Sequence, residues 1–373
     1  MSVRYEAEPL TARRVSRSVR VGDVQVGGGA PISIQSMTNT LTADIAATEA
    51  QIRALADAGA DIVRVSCPDE ESTAALKTLT RAATVPLVAD IHFHYRRAIE
   101  AACNGAACLR FNPGNISESG RVREVVRAAR DNGCSIRIGV NSGSLERDLL
   151  ERYGGPTAEA LVASVLRHAE FLEEHDFREY KVSCKASEVT LAVRSNRLLA
   201  SRTDAPIHIG ITESGSARTG SLRSAVGLGV LLAEGIGDTL RVSLAGDPVE
   251  EVRVARMILR SLGLRSGGVL VVACPGCARQ QFDVGRVAEA LESRFGERVE
   301  TLRVSVMGCV VNGPGEALGS DIGLTGGGRG THQVYVGGER AGRVRAGGGG
   351  EDELVEELSR LVEERLGLTQ GRQ

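Results

Sequence analysis

Short runs of apolar and β-branched residues alternate with segments of helical periodicity along the first two thirds of the chain. Eight such runs occur, at 32–37, 62–66, 86–90, 108–112, 136–141, 180–185, 207–212 and 239–244. Glycines near the ends of several helical segments, such as Gly59 and Gly133, are typical helix stops. Eight strand–helix units predict an α/β fold, a closed (β/α)8 barrel of the TIM type over residues 31–265. A doubly wound open sheet is the alternative, but no phosphate-binding glycine motif follows the first strand.

The segments that flank the barrel have patterns of their own. Residues 1–30 form an Arg-rich tail and then an alternating run broken by Gly22-Asp23, which predicts a hairpin. Residues 266–373 contain two apolar runs, a helical segment at about 282–295, a second hairpin and a charged helix from Asp352. This pattern predicts a small α+β domain after the barrel.

Charge and composition exclude several classes of function. The 45 basic and 47 acidic residues nearly cancel, and aromatic residues make up 3% with no Trp, so no nucleic-acid partner is predicted. The first thirty residues lack a signal-type apolar segment, and no apolar stretch has the length of a membrane span. We therefore expect a soluble, cytoplasmic protein with no membrane partner.

Polar residues recur at the carboxyl ends of the predicted barrel strands, which in this fold meet at one mouth. They are Arg64, Asp90 with His92, Arg110 with Asn112, Arg137 with Asn141, Lys181 with Lys185, Glu213, and Arg241 with Ser243. Buried cations are costly unless an anion meets them, and arginine matches phosphate oxygens bidentately. The mouth is thus predicted to bind a ligand with several negative charges, most economically a diphosphate. Ion pairs with Asp90, Glu213 or loop carboxylates are the alternative for individual arginines.

Three cysteines and one glutamate suggest a metal centre in the C-terminal domain. Cys274 and Cys277 follow one apolar run at C-x-x-C spacing, and Cys309 ends the second run. An Asn-Gly-Pro-Gly turn then precedes Glu316, which we expect to complete an iron-sulfur site. Structural zinc or a redox dithiol is the alternative for a C-x-x-C pair. The other five cysteines are interpreted as small core residues: Cys67, Cys103, Cys108, Cys134 and Cys184.

These motifs resemble the 4-hydroxy-3-methylbut-2-enyl diphosphate synthase family of the non-mevalonate isoprenoid pathway. The most specific match is MGCVVNGPGE, and it is joined by CPGC, QSMT, VADIHF, LRFNPGN, IRIGVNSGSLE, KVSCKAS, GITESG and GIGDTLRVSL. The chain departs from the family pattern with ACPGCAR in place of the more usual SCPTCGR, and with His94 after His92-Phe93. Both cysteines of the first motif are kept, so the predicted ligands are unaffected.

The resemblance implies the reductive ring opening and dehydration of 2C-methyl-D-erythritol 2,4-cyclodiphosphate. It implies a 4Fe-4S cluster held by Cys274, Cys277, Cys309 and Glu316, with Glu316 giving way to a substrate oxygen. Electrons would come from an external ferredoxin or flavodoxin, because no nicotinamide or flavin motif is present. The substrate-binding residues expected from the strand ends are Arg64, Arg110, Asn112, Arg137, Asn141, Lys185, Arg241 and Ser243. Glu213 is the first candidate for the general acid, with Asp90 and His92 as alternatives.

The family also implies a homodimer in which each cluster domain caps the barrel of its partner. Two rival hypotheses keep the same domains. A barrel enzyme of the aldolase or pterin-synthase type would use the mouth without redox chemistry and carry a structural zinc domain. An iron-sulfur sensor would use the cluster as a switch and would need no charged pocket.

Overall fold

The computed structural model describes residues 10–91, 94–111, 119–296, 300–345 and 350–368. The chain divides into two compact units, one that ends at Arg265 and one that begins at Ser266. None of the helices in the described ranges combines the length and apolar character needed to span a lipid bilayer.

An N-terminal hairpin closes the lower end of the first unit. Strands β1 (Val19–Val21) and β2 (Val24–Val26) pair antiparallel around Gly22-Asp23, and Gly22 adopts the positive φ that this tight turn needs. The buried side chains of the hairpin form one apolar cluster with residues at the amino ends of barrel strands: Val21, Val26, Ile62, Val88 and Cys108. The hairpin therefore seals the barrel at the end opposite the predicted mouth.

Eight parallel strands form the barrel. They are β3 (Ser33–Met37), β4 (Ile62–Ser66), β5 (Leu87–Asp90), β6 (Cys108–Phe111), β7 (Ser135–Asn141), β8 (Tyr180–Lys185), β9 (His208–Ile209) and β10 (Thr239–Leu240). Strands β3 to β8 pair in chain order, and β9 and β10 continue the sheet on the other side of β3. A parallel bridge between Val182 and Ile207 joins β8 to the β9 edge and closes the ring. The predicted fold class is therefore confirmed.

Helices surround the barrel between its strands. They are α1 (Ile45–Asp57), α2 (Glu70–Ala82), α3 (Tyr95–Cys103), α4 (Ser119–Asp131), α5 (Arg147–Tyr153), α6 (Ala158–Glu173), α7 (Val189–Ala200), α8 (Ala217–Ala233) and α9 (Pro248–Ser261). Alternate strand residues, for example Val63 and Val65, pack against these helices in the main core. The intervening residues, such as Arg64, point into the barrel because successive side chains of a strand face opposite sides.

The second unit is built on a five-stranded mixed sheet. Its elements are β11 (Gly268–Ala273), α10 (Val284–Phe295), β12 (Thr301–Met307), α11 (Gly313–Leu318), β13 (Ile322–Gly326), β14 (Thr331–Val336), β15 (Glu339–Arg345) and α12 (Glu351–Arg365). The strand order is β11-β12-β13-β14-β15, parallel in the first three strands and antiparallel in the last three. Helices α10 and α12 contribute Val287, Leu291, Leu358 and Val362 to its core.

Three local predictions are corrected. The Asn-Gly-Pro-Gly segment begins helix α11 and is not a free turn, because Pro314 lies in the first turn, where a missing N–H costs nothing. The seventh and eighth barrel strands are only two residues long, because the chain leaves the ladder early to form mouth loops. Cys103 is exposed, while Cys67, Cys108, Cys134 and Cys184 are buried as expected.

Candidate functional site

Five cationic side chains come from strands β4, β6, β7 and β8 and from the residue after β10, and they form what we call the cation cluster: Arg64, Arg110, Arg137, Lys185 and Arg241. The sheet register brings several of them level, since Asp90 pairs with Arg110 and Arg110 pairs with Arg137. Lys185 is the last residue of β8, and Arg241 directly follows β10. Strand alternation and parallel register thus assemble one charged surface inside the barrel.

Among the described residues, Asp90 is a buried carboxylate that contacts this cluster. Its Oδ1 accepts a hydrogen bond from Nη1 of Arg110 at 2.9 Å, and its Oδ2 lies 3.6 Å from Nε of Arg64. Burial lowers the pKa of Arg64 to about 10, although Asp90 opposes that change. Asp90 therefore holds two mouth arginines together and leaves much of their charge uncompensated.

Arg137 is the most deeply buried cation of the cluster, with 1% of its surface exposed. Its Nε and Nη1 have no hydrogen-bond partner within the described residues. Burial lowers its pKa well below the ordinary value, and the like charges of Arg64 and Arg110 lower it further. Buried polar atoms without a partner are rare in folded proteins, because they cost free energy. The two nitrogens of Arg137 could donate hydrogen bonds to an anion.

Two glycines make room for the charged side chains. A Cβ on Gly139 would lie 2.8 Å from Nε of Arg110, and a Cβ on Gly210 would lie 2.9 Å from Nζ of Lys185. Burial lowers the pKa of Lys185 well below its ordinary value, with further lowering by the neighbouring arginines. The absence of a side chain at Gly139 and Gly210 thus leaves space for Arg110 and Lys185 to lie against the barrel wall.

Arg241 is bound to Glu251, a residue that the strand-end prediction missed. Its Nε and Nη2 each lie 3.1 Å from a different carboxylate oxygen of Glu251 on α9. Its Nη1 lies 3.5 Å from Sδ of Met37, which also accepts from Nε and Nη2 of Arg64 at 3.1 and 2.9 Å. A signal for Glu251 existed, because it falls on the apolar face of α9 together with Pro248, Val252, Ala255 and Ile258.

The remaining predicted mouth residues have different surroundings. Asn141 ends β7 and pairs in register with Lys185, and Ser243 follows Arg241 on the loop after β10, where its carbonyl accepts from Ser214. Glu213 follows β9, is exposed, and has the unusual φ of 49° for a residue with a side chain. His92 and Asn112 lie outside the described residues.

Lys181 pairs in register with Arg137, although the sequence grouped it with Lys185. It is completely buried, and its Nζ contacts Sγ of Cys108 at 3.6 Å. Cys108 belongs to the apolar cluster that the hairpin seals, so Lys181 lies deeper in the barrel than Lys185.

The C-terminal unit carries the three predicted cysteine ligands as free thiols. Cys274 and Cys309 are partly exposed, and Cys277 is exposed. The backbone N–H of Gly308 donates to Sγ of Cys274 at 3.2 Å. A backbone N–H of Val311, helped by Arg279, lowers the pKa of the Cys309 thiol. The donors at Cys309 favour its thiolate, which is the form that binds iron.

Glu316 lies on α11 and is directed to a cation in this structure. Its Oε2 lies 3.6 Å from Nη2 of Arg303 on β12, and both side chains are partly exposed. Within the described ranges, no three His, Cys, Asp or Glu side chains converge closely enough to hold a single metal ion. The donor set nevertheless fits an iron-sulfur cluster, because it offers three accessible thiols with N–H donors aimed at two of the sulfurs.

The fold and the cation cluster define the class of the protein, a TIM barrel whose interior carries a cluster of buried cations. Two family models match the chain: the GcpE TIM-barrel domain over residues 16–256 and the GcpE protein C-terminal domain over residues 270–364. The chain belongs to the GcpE family.

Curated relatives cover nearly the whole chain. It is 61% identical to the 4-hydroxy-3-methylbut-2-en-1-yl diphosphate synthase (flavodoxin) of Caulobacter vibrioides over 88% of this chain and 86% of that protein. It is 58% identical to the protein of the same name from Gluconacetobacter diazotrophicus over 97% of this chain and 93% of that one. The family resemblance found in the motifs is therefore confirmed. Among solved structures, a type I 3-dehydroquinate dehydratase from Clostridium difficile matches 67% of this chain and 98% of its own at 14% identity and a TM-score of 0.47.

Proposed function

We propose that this chain converts 2C-methyl-D-erythritol 2,4-cyclodiphosphate to 4-hydroxy-3-methylbut-2-enyl diphosphate with electrons from flavodoxin. The names of its curated relatives give both this product and this electron donor. The structural observation that supports the proposal most directly is the buried guanidinium of Arg137, whose Nε and Nη1 have no hydrogen-bond partner among the described residues. Membership in the family disfavours the two rival functions, a zinc-stapled aldolase-type enzyme and an iron-sulfur sensor.

The cation cluster binds the diphosphate of the substrate and stabilises the charge that develops during the reaction. Opening the ring breaks a carbon–oxygen bond and turns a phosphodiester into a phosphate with one more ionisable oxygen. Cations that already surround that phosphate stabilise the opened form more than the closed ring, which lowers the barrier. Arg64, Arg110, Arg137, Lys185 and Arg241 have this role, while Asn112, Asn141 and Ser243 orient the ring.

The overall change also requires protons. When substrate and product are both written as neutral acids, the reaction takes up two electrons and two protons. The hydroxyl of the substrate leaves as one water. Glu213 is our candidate donor of the proton to the leaving hydroxyl, because it is an exposed acid on a backbone conformation that costs energy to maintain. Asp90 engages Arg64 and Arg110, so it serves more readily to position them, and His92 stays an alternative donor.

A 4Fe-4S cluster would be held by Cys274, Cys277, Cys309 and Glu316 and would supply the two electrons singly to the bound substrate. Ferredoxin is an alternative carrier to flavodoxin. We also propose a homodimer in which the C-terminal domain of one protomer caps the barrel of the other, as the family resemblance implies. A cytoplasmic location suits accessible thiols that must stay reduced.

The test is anaerobic purification followed by iron, sulfide and zinc analysis of the wild type, Cys309→Ser and Cys103→Ser. Cys103 is an exposed cysteine outside the proposed ligand set, so its variant is the matched control. We expect about four irons and four sulfides per chain in the wild type and the control, and a loss in Cys309→Ser. Turnover of the cyclodiphosphate with reduced flavodoxin should follow the iron content. About one zinc per chain without sulfide would refute the redox mechanism.

A further inference from the structure

Glu251 is a buried acid in the wall of a site that is otherwise cationic. It lies on α9 with 3% of its surface exposed, and its side chain faces the carboxyl ends of β3 and β10. Glutamate is almost never buried to this degree unless it is paired. An acid near an anion site also weakens the attraction for the ligand, so its presence calls for a specific role.

Both oxygens of the Glu251 carboxylate are fully engaged. Oε1 accepts from Nη2 of Arg241 and from the backbone N–H of Leu244, each at 3.1 Å. Oε2 accepts from Nε of Arg241 at 3.1 Å and from Oγ of Ser36 at 3.0 Å. The carboxylate therefore links α9, the end of β3 and the loop after β10 through a bidentate ion pair.

The backbone alone does little to fix Arg241. Strand β10 ends at Leu240, and the four residues that follow it have no regular secondary structure. A long arginine side chain at such a position has many rotamers. The fork formed with Glu251 restricts it to one orientation, in which only the Nη1 edge is left to face the mouth.

The Nη1 edge of Arg241 contacts the same sulfur atom as Arg64. Nη1 of Arg241 lies 3.5 Å from Sδ of Met37, and both Nε and Nη2 of Arg64 donate to the same sulfur. A thioether is a weak acceptor and carries no charge. The guanidinium groups of Arg64 and Arg241 thus share one weak acceptor, the sulfur of Met37. An anion can readily replace this sulfur as the acceptor of their hydrogen bonds.

We propose that Glu251 is a positioning residue for diphosphate binding, which holds Arg241 so that it and Arg64 converge on one phosphate group. Phosphate oxygens take over the N–H donors that Met37 now accepts. Glu251 does not touch the substrate itself. The inference rests on the proposed function only in taking a diphosphate as the ligand.

The experiment measures the affinity of inorganic pyrophosphate for the full-length chain, purified anaerobically, by isothermal titration calorimetry. The variants are Glu251→Gln and, as a matched control, Glu250→Gln, which changes the neighbouring acid on the exposed side of α9, where it pairs with Arg253. We expect Glu251→Gln to weaken binding about 10- to 100-fold and the control to change it less than about twofold. In turnover, KM should rise and kcat should also fall, because Arg241 both binds the substrate and stabilises the opened ring.

A double-mutant cycle separates positioning from general stability. If Glu251 acts through Arg241, Glu251→Gln added to Arg241→Gln should weaken pyrophosphate binding no further than Arg241→Gln does alone. A residue that only stabilises the fold would lower the melting temperature and leave KM unchanged. Ser36→Ala is the second variant, because it removes one donor to Glu251 and keeps the ion pair; we expect about two- to fivefold weaker binding with an unchanged fold.

The outcomes distinguish a failure of the proposed function from a failure of the positioning role of Glu251. If the wild type binds neither pyrophosphate nor the cyclodiphosphate, the proposed function is wrong. If the wild type binds pyrophosphate and the folded Ser36→Ala and Glu251→Gln proteins bind it equally well, the positioning role is overturned. Because Ser36→Ala keeps both charges, the test does not depend on the folding of Glu251→Gln.

Discussion

At the scale of single residues, the mouth contains buried charged groups that oppose folding and that we propose bind a ligand. Arg137 is buried with two guanidinium nitrogens, Nε and Nη1, unpartnered among the described residues, and Lys185 is buried near arginines. A hydrophobic barrel interior would be more stable. Such local departures from good packing are expected where a protein binds something that completes them.

Replacing Arg137 with methionine should separate stability from function. Methionine fills similar space without a buried charge, so we expect Arg137→Met to raise the free energy of unfolding by about 1 to 3 kcal/mol. We also expect kcat/KM to fall about 100- to 1000-fold, because a charge-assisted contact to phosphate is lost. Denaturant unfolding and steady-state kinetics on the same preparation measure both effects.

The control for this prediction is Arg127→Met on α4, where the arginine side chain is 84% exposed and pairs with Asp131. It should change the free energy of unfolding by less than about 0.5 kcal/mol and leave kinetics unaltered. A destabilised Arg137→Met protein would mean that the guanidinium is satisfied within the fold and is not held ready for a ligand.

Lys185 should make substrate affinity depend on pH. Its pKa is lowered by burial and by neighbouring arginines, so the folded chain loses this proton at a lower pH than the unfolded chain does. As pH rises through that window, below the ordinary lysine range, stability should therefore rise and affinity for an anion should fall. The cyclodiphosphate is the suitable probe, because its phosphodiester groups do not titrate there. Lys185→Met should remove this dependence, and an unchanged pH profile would contradict the assignment.

At the scale of elements, the mouth residues that lie on barrel strands could be predicted from the sequence, whereas the one that lies on helix α9 could not. Alternation within each strand and the common direction of parallel strands located Arg64, Arg110, Arg137, Lys185 and Arg241, since both rules are local. Glu251 reaches the same site from α9, and its contact with Arg241 depends on how that helix packs, which no short-range pattern gives. The Gly-Pro segment of α11 was misread for a related reason, because the same residues suit a turn and the first turn of a helix.

Gly210 should be required for the position of Lys185. A Cβ there would lie 2.7 Å from the carbonyl oxygen of Arg241 and 2.9 Å from Nζ of Lys185, so backbone and side chain would both have to move. We expect Gly210→Ala to lower the free energy of unfolding by about 1 to 3 kcal/mol and to weaken pyrophosphate binding at least about tenfold. Gly229→Ala on α8 is the control, because a Cβ added there would meet none of the described residues within 4 Å. It should be neutral for binding and stabilising by about 0.5 to 1 kcal/mol.

At the scale of the whole molecule, the chemistry is divided between two compact units. The cation cluster belongs to the unit that ends at Arg265, while Cys274, Cys277, Cys309 and Glu316 belong to the unit that begins at Ser266. The proposed reaction uses both sets of residues, so we expect each barrel to work with a C-terminal domain from its own chain or from a partner chain. Sequence patterns predict the structure of each unit separately. They do not indicate whether a barrel works with the C-terminal domain of the same chain or with that of a partner chain.

A subunit complementation experiment distinguishes pairing of the domains within one chain from pairing between two chains. Arg137→Gln disables the barrel, and Cys309→Ser disables the cluster site, so each homodimer should be inactive. In a mixed dimer whose domains cap each other, one site combines the intact barrel of the Cys309→Ser chain with the intact cluster domain of the Arg137→Gln chain. Random mixing of equal amounts by co-expression should then restore about one quarter of the wild-type activity per total chain. Sites formed within one chain would restore none, because every site would carry one defect. Co-expression of Arg137→Gln with Arg110→Gln is the control, since two barrel defects cannot complement each other in either arrangement.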